Sequence, residues 1–288
     1  MPSLKDLKSQ LNAISKTQSI TKAMYNLANS KVASAQKLYI NQNIFNGVLE
    51  DIISDMYIAF NKSLIFNDEF SYKKPIKNLY ILITSDRGLV GGYHQKLFKY
   101  LDGIIEKDED FEVLTIGKKG HYNILKKKYP LFNKEVLINR DNVFINPVGF
   151  LSKQIIKNYL NDEYKGVYVV YNEFVSSVEF NCTIQQIFPI SIEQSIIEQK
   201  IKGYAPYFVI EDNKEELVNK MLPIYVTTKL LTVLCAAKAS EHAARKNAMK
   251  NASDNAADII KKLRTKYNRL RQESITTELI DIINGSNV

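Results

Sequence analysis

The hydrophobic pattern divides the chain into three stretches. From Ser3 to Asn46 there is no glycine or proline, and Leu4, Leu7, Leu11, Ile14, Gln18, Thr21, Tyr25, Ala28, Val32, Ala35 and Tyr39 recur at alternating steps of three and four. That is the heptad seam of a helix made to lie along another helix. The seam opens with large aliphatics and then turns small and polar at Gln18, Thr21, Ala28 and Ala35, which suits a looser contact than a permanently buried dimer. Between Pro223 and Gly285 glycine and proline are absent again, and about 60 residues at the helical rise predict a rod of roughly 90 Å. Pro223 suits the first turn of this helix and Asn284-Gly285 its C-cap. Ala252, Ala256, Ile259, Leu263, Tyr267 and Leu270 carry its seam. Upstream, Ala236, Ala237, Ala243, Ala244 and Ala248 keep the surface slim enough for a second helix to come close.

The middle stretch has shorter periods. Asn78 to Thr84 is a β-rich apolar run between Pro75 and Ser85-Asp86, and reads as a buried strand. A glycine-rich loop follows, then a helix over Tyr93–Lys107, a strand over Phe111–Gly117 and a short helix over His121–Lys128. Val148–Tyr159 is a further helix, Val167–Tyr171 a further strand, and Val178–Ile187 and Tyr207–Ile210 are extended. This alternation predicts βα units around a parallel sheet. The expected organisation is therefore an N-terminal coiled-coil helix over 1–60, an α/β body over 76–212 and a C-terminal coiled-coil helix over 213–288. The economical arrangement folds the end helices back as an antiparallel pair with the body at one tip.

Composition narrows the class. With 288 residues, 45% apolar and 24% charged, the chain is in the globular range. Purely apolar runs are only a few residues long, and the start of the chain enters a charged pattern at once, so the expected compartment is cytoplasmic. Cys182 and Cys235 lack partners at metal-ligand spacing and read as small buried hydrophobes. The formal charge of +8 is unevenly placed. Between Arg245 and Arg271 nine basic residues stand against Asp254 and Asp258, nine minus two, a net of +7. Such a run is either a solvated helix face or a docking surface for an acidic protein or a nucleic acid.

Catalytic chemistry is hard to find. Thr84-Ser85-Asp86-Arg87-Gly88-Leu89-Val90-Gly91-Gly92 lies between a strand and a helix, where α/β proteins place phosphate loops. It has neither the lysine of a P-loop nor dinucleotide-fold glycine spacing, and reads as a structural turn. His94, His121 and His242 are isolated. Asp108-Glu109-Asp110 is an acidic loop, and Glu215-Glu216 are acids at a helix start. An enzyme acting alone is disfavoured, and no cofactor or metal is expected.

Several of these stretches resemble F-type ATP synthase gamma subunits. The matching residues are Ile20-Thr21-Lys22-Ala23-Met24, with Ser30-Lys31 and Ala35-Gln36; Thr84 to Leu89, with Gly91-Gly92; and Ala239-Ser240-Glu241-His242-Ala243-Ala244-Arg245, with Ala248-Met249, Asn255-Ala256, Tyr267-Asn268-Arg269, Arg271-Gln272, Ile275-Thr276, Glu278-Leu279 and Gly285. The resemblance implies a non-catalytic rotor shaft, an antiparallel coiled coil in the cavity of an alternating alpha-beta hexamer with a Rossmann-like domain near the base. It implies that Arg271, Gln272, Thr276 and Glu278 contact the catalytic beta subunits. It also implies that Lys22, Met24 and Arg245 face an acidic loop of beta, and that Arg87 in the strand-loop is a partner contact. An epsilon-type subunit and a membrane c-ring, or a substitute, would sit at the foot, on the cytoplasmic face of the membrane. The chain departs from the family pattern at Val32-Ala33-Ser34, at Ala236-Ala237-Lys238, and at Val90 and His94. With these departures in the lower region, the alternatives are a shaft coupled to proton translocation and one in a hydrolysis-driven motor with mechanical output. A basic coiled coil binding nucleic acid is the reading from another class.

Overall fold

A computed structural model describes residues 3–59, 77–106, 110–139, 145–190 and 214–285. In chain order the elements are α1 (Leu4–Ala59), β1 (Asn78–Ile83), α2 (Tyr93–Ile105), β2 (Phe111–Ile116), α3 (Lys118–Lys127), α4 (Ile145–Leu160), β3 (Gly166–Phe174), β4 (Phe180–Phe188) and α5 (Lys214–Gly285). The extended segment expected at Tyr207–Ile210 and most of the acidic loop at Asp108-Glu109-Asp110 lie outside the described residues. Helix α1 begins with a reciprocal cap. The Asp6 N–H donates to Ser3 Oγ at 3.2 Å, and the Ser3 N–H and hydroxyl donate to Asp6 Oδ2 at 3.0 and 2.7 Å. The Ser3 hydroxyl holds the Asp6 carboxyl below its ordinary value.

The chain divides into two compact units. One comprises residues 1–30 and 245–288, the other residues 31–244. The first is built from the start of α1 and the second half of α5. Its buried residues are few, three aliphatic side chains and two alanines: Leu7, Met249 and Ile260 with Ala28 and Ala256. Every seam position expected on α1 from Leu4 to Tyr39 is buried or half-buried. On α5 the seam differs from the expectation by one residue, since Ile259 is 45% exposed and Ile260 is 9% exposed. From Ala256 the steps run to Ile260, Leu263, Tyr267, Leu270 and Ser274, and Ile259 falls about 100° away around the helix.

The second unit contains a four-stranded sheet in the order β2-β1-β3-β4. β1 pairs in parallel with β2 and β3, whereas β4 runs antiparallel to β3. The expectation of a parallel sheet fails at this edge because the five residues between β3 and β4 close a turn. The Val175 and Ser176 N–H groups donate to the Glu179 carbonyl, and Ser176 Oγ accepts from the Val178 and Glu179 N–H groups. A parallel crossover would need a dozen residues or more. Alternation along the strands separates two cores. Tyr80, Leu82, Val113 and Val170 face α2 and α3, with Leu97, Leu101 and Ile124. Leu79, Ile81, Ile83, Leu114, Val167 and Val169 belong to the larger core with Ile155 of α4, Ile53 of α1, and Val218, Leu222, Val226, Leu230, Val233 and Ala237 of α5.

α5 therefore supplies much of the body's core. It starts nine residues before Pro223, which lies inside the helix and not in its first turn. The proline leaves one carbonyl of the preceding turn without its donor, but Val218, Leu222 and Val226 on either side are buried, and packing outweighs the local preference. Within this unit α1 and α5 are antiparallel: Tyr39, Asn43 and Asn46 share a polar cavity of about 100 Å³ with Thr232, Val233 and Ala236, while the later Glu50 pairs with the earlier Lys229. By length and composition one stretch of α5 is apolar enough to cross a membrane, yet 67% of it is buried inside the protein. Those side chains are committed to the core.

Two glycines give opposite predictions. Gly117 has φ +100°, and a Cβ there would fall on the Thr84 carbonyl, whereas a Cβ on Gly103 in α2 would meet nothing within 4 Å. Thermal unfolding should show Gly117→Ala destabilised by about 2 kcal/mol or more and Gly103→Ala stabilised by about 0.5–1 kcal/mol.

Candidate functional site

The loop after β1 is the position where an α/β protein would bind phosphate, and here Thr84, Ser85 and Asp86 are turned to neighbouring groups of the protein while Arg87 is exposed. Thr84 Oγ1 accepts from the Gly120 N–H at 2.8 Å and lies 3.1 and 3.2 Å from the carbonyls of Ile116 and Gly117. Ser85 Oγ donates to the Arg87 carbonyl at 2.5 Å and lies 2.8 Å from His94 Nε2. Asp86 Oδ1 accepts from the N–H of Lys118 at 3.0 Å and of Asn139 at 3.2 Å. Leu89 and Gly91 take positive φ, 62° and 59°. The segment is a clasp between β1, α2 and α3, with the side chains of Thr84, Ser85 and Asp86 hydrogen-bonded within the loop and to its neighbours.

The switch point of a doubly wound sheet lies between the strands that lead off in opposite directions, here β1 and β3, and ligands enter at their carboxyl ends. That crevice is filled. Tyr93, 1% exposed, packs with Val90, Ala244 and Phe180. Its hydroxyl donates to the Ala237 carbonyl of α5 at 3.2 Å, and its own carbonyl accepts from the buried Asn172 amide at 3.3 Å. The long helix occupies the position of a nucleotide. His121 lies buried with Nδ1 at 3.1 Å from Thr115 Oγ1. Among the described residues no group of His, Cys, Asp and Glu is placed to hold a metal. Cys182 and Cys235 are free and half-buried rather than buried. Burial pushes the Cys235 thiol up to about 11.

The family resemblance singles out contact residues, and the structure separates them into groups. Arg271, Gln272, Thr276 and Glu278 are exposed on one eight-residue stretch of α5. Thr276 Oγ1 donates to the Gln272 carbonyl at 2.8 Å, and Ser274 Oγ to Glu278 at 3.3 Å. Lys22 is exposed, and Met24 and Arg245 are half-buried, in the same compact unit. Arg87 is exposed in the other unit. Beside the distal group, Ile275, Leu279, Ile280, Ile282 and Ile283 are 48%, 54%, 51%, 67% and 58% exposed. Sequence reasoning passed over this apolar cluster, although its absence from the heptad seam was the available signal. The motif from Ala239 to Ala244 is internal throughout. Several departures from the family pattern are internal too: Val32, Val90, Ala236, Ala237 and Lys238 are each 4% exposed or less, while Ala33 and Ser34 remain on the surface.

A family model described as ATP synthase matches residues 3–288. The ATP synthase gamma chain of Geotalea daltonii is 32% identical over 99% of this chain and 98% of its own length. The chain belongs to the ATP synthase gamma-chain family. The gamma chains of Geobacter metallireducens and Fusobacterium nucleatum are 33% and 30% identical, each over 99% of this chain and 98% and 99% of their own lengths. Among solved structures, a chain of the Tetrahymena thermophila mitochondrial ATP synthase central stalk and c-ring has a TM-score of 0.63 at 23% identity, covering 81% of this chain and 99% of that one. A chain of the Euglena gracilis mitochondrial ATP synthase rotor gives 0.62 at 15% identity, covering 94% and 98%. These two show the shared fold. As a member of the gamma-chain family, the chain is a non-catalytic stalk subunit, the central rotor shaft of an F-type ATP synthase.

Substitutions should separate the clasp from the exposed contacts. Tyr93→Phe is expected to lower stability by about 1 kcal/mol through loss of the bond to Ala237. Tyr93→Ala should cost about 3–5 kcal/mol. Arg87→Ala should stay within about 0.5 kcal/mol of the parent in denaturant unfolding.

Proposed function

We propose that the terminal two-helix unit stands inside a ring of alternating alpha and beta subunits and that the α/β body carries rotation to an epsilon-type subunit and a membrane ring at the cytoplasmic face. The observation that carries this reading is the character of the distal part of α5. Half-buried Leu263, Tyr267, Leu270 and Ser274 face inward, while Arg271, Gln272, Thr276 and Glu278 and the apolar Ile275, Leu279, Ile280, Ile282 and Ile283 face out. So many exposed aliphatics at one helix end indicate a surface covered by another protein.

Arg271, Gln272, Thr276 and Glu278 touch the catalytic beta subunits, and Lys22, Met24, Arg87 and Arg245 serve contacts nearer the base. A shaft must meet three sites in turn, so tight binding to any one would trap it. A basic surface suits this, because charge attraction is long-ranged and depends weakly on register, unlike interdigitated side chains. Each beta subunit changes shape as it binds and hydrolyses ATP, and an asymmetric shaft biases which conformation each can adopt. Rotation is thus a coupling free energy between the sites and the shaft. Val32, Val90, Ala236, Ala237 and Lys238 repack the interior, and Ala33 and Ser34 are the departures that alter the exposed face; this mostly internal placement favours ion translocation over a purely mechanical output.

The four exposed contacts can be removed without disturbing the fold. A chain with Arg271, Gln272, Thr276 and Glu278 all changed to alanine should unfold at the parent's temperature and assemble with the hexamer. ATP hydrolysis by that complex should fall about fivefold or more, the low end of typical coupling. Unchanged hydrolysis in the assembled complex would remove these residues from the coupling surface, and recovery of RNA in place of two P-loop subunits would replace the reading altogether.

A further inference from the structure

Among the described residues Lys238 is the one buried lysine and Glu241 the one buried acid, at 3% and 4% exposure. The Lys238 ammonium donates to Glu241 Oε2 at 2.9 Å and to the Asn139 carbonyl at 2.8 Å. Asn139 is itself buried. Its N–H donates to Asp86 Oδ1 at 3.2 Å and its side-chain amide to the Thr84 carbonyl at 2.6 Å. Asp86 Oδ1 also accepts the Lys118 N–H at the start of α3. A cation on α5 is thus connected, through Asn139, to the loop after β1 and to the segment that follows β2.

Taking an ammonium out of water is costly, and an apolar side chain of the same length would fill this space without that cost. What the cation adds is direction. The apolar contacts of α5 with the sheet resist separation, but they are non-directional and tolerate small rotations. A charge-assisted hydrogen bond to a buried carbonyl fixes register.

We propose that Lys238 is the positioning residue that locks α5 to the loops at the carboxyl ends of β1 and β2, so that the α/β body turns with the helix under load. Glu241 aims the lysine through the 2.9 Å contact, and Asn139 distributes the restraint to Thr84 and Asp86. The proposal rests on the shaft reading above, and concerns a contact internal to the chain.

The test is the double variant Lys238→Met with Glu241→Gln, which removes both charges and leaves neither buried alone, so that the fold is retained. In the isolated chain, hydrogen exchange at the Lys118 and Asn139 amides should accelerate about tenfold or more, with the β1 and β2 ladder amides unchanged. In the assembled complex, with a probe on a cysteine introduced at Lys99, the double variant should hydrolyse ATP and turn a light probe at the parent's rate. It should lose rotation under a viscous load that the parent still turns. The single Lys238→Arg variant, which keeps the cation, should restore loaded rotation. Parent-like exchange together with parent-like loaded rotation in the double variant would overturn the proposal. If the parent itself never rotates, the shaft reading fails and the load-bearing role falls with it; the exchange result separates that failure from loss of the latch.

Discussion

One helix is required to do two jobs, and most of the structure follows from that constraint. The first half of α5 packs from Val218 to Ala244 as a core element of the α/β body, and its second half is one of two helices in a separate compact unit. A helix that fills a core must be apolar nearly all round, and residues 230–244 are buried at every position except Cys235. A helix that stands with a single partner needs only a seam, and beyond Arg245 burial shrinks to a stripe. The change from Leu, Val and Ala to Lys, Arg and Asn along the same helix is this change of environment expressed in residues.

Occupation of the sheet's switch point by the same helix has a functional consequence. Tyr93, Asn172 and Ala237 close the crevice that a doubly wound sheet otherwise offers to a nucleotide. The loop resembling a phosphate loop becomes a structural clasp, its threonine, serine and aspartate turned to neighbouring amides and carbonyls. The crevice is filled by the chain's own side chains and by α5.

Much of this was legible in the sequence. The α1 seam could be read position by position because a two-helix contact imposes a strict repeat, and the strands announced themselves as short apolar runs of branched residues. The parts that could not be read share a cause, since each depends on neighbours distant in sequence. Pro223 looked like a helix start because its lost hydrogen bond is local, whereas the packing of Val218 and Leu222 that carries the helix through it is not. Ile259 and Ile260 are equally apolar, and only the partner helix chooses between them. β4 reads as a strand from composition, but its direction is set by the turn at Ser176 and Glu179. Of the candidate contacts, Arg271, Gln272, Thr276 and Glu278 lie exposed on α5, and the heptad pattern did not reveal the apolar surface beside them. The sequence also presented Lys238 as a departure in a contact region when the side chain is turned into the core.

A central shaft occupies a unique position among repeated partners. Native mass spectrometry of the complex purified through this chain measures that directly. The prediction is one copy of the chain with three copies each of two P-loop-bearing subunits. Equal numbers of this chain and its partners, or recovery of the chain without such subunits, would contradict it.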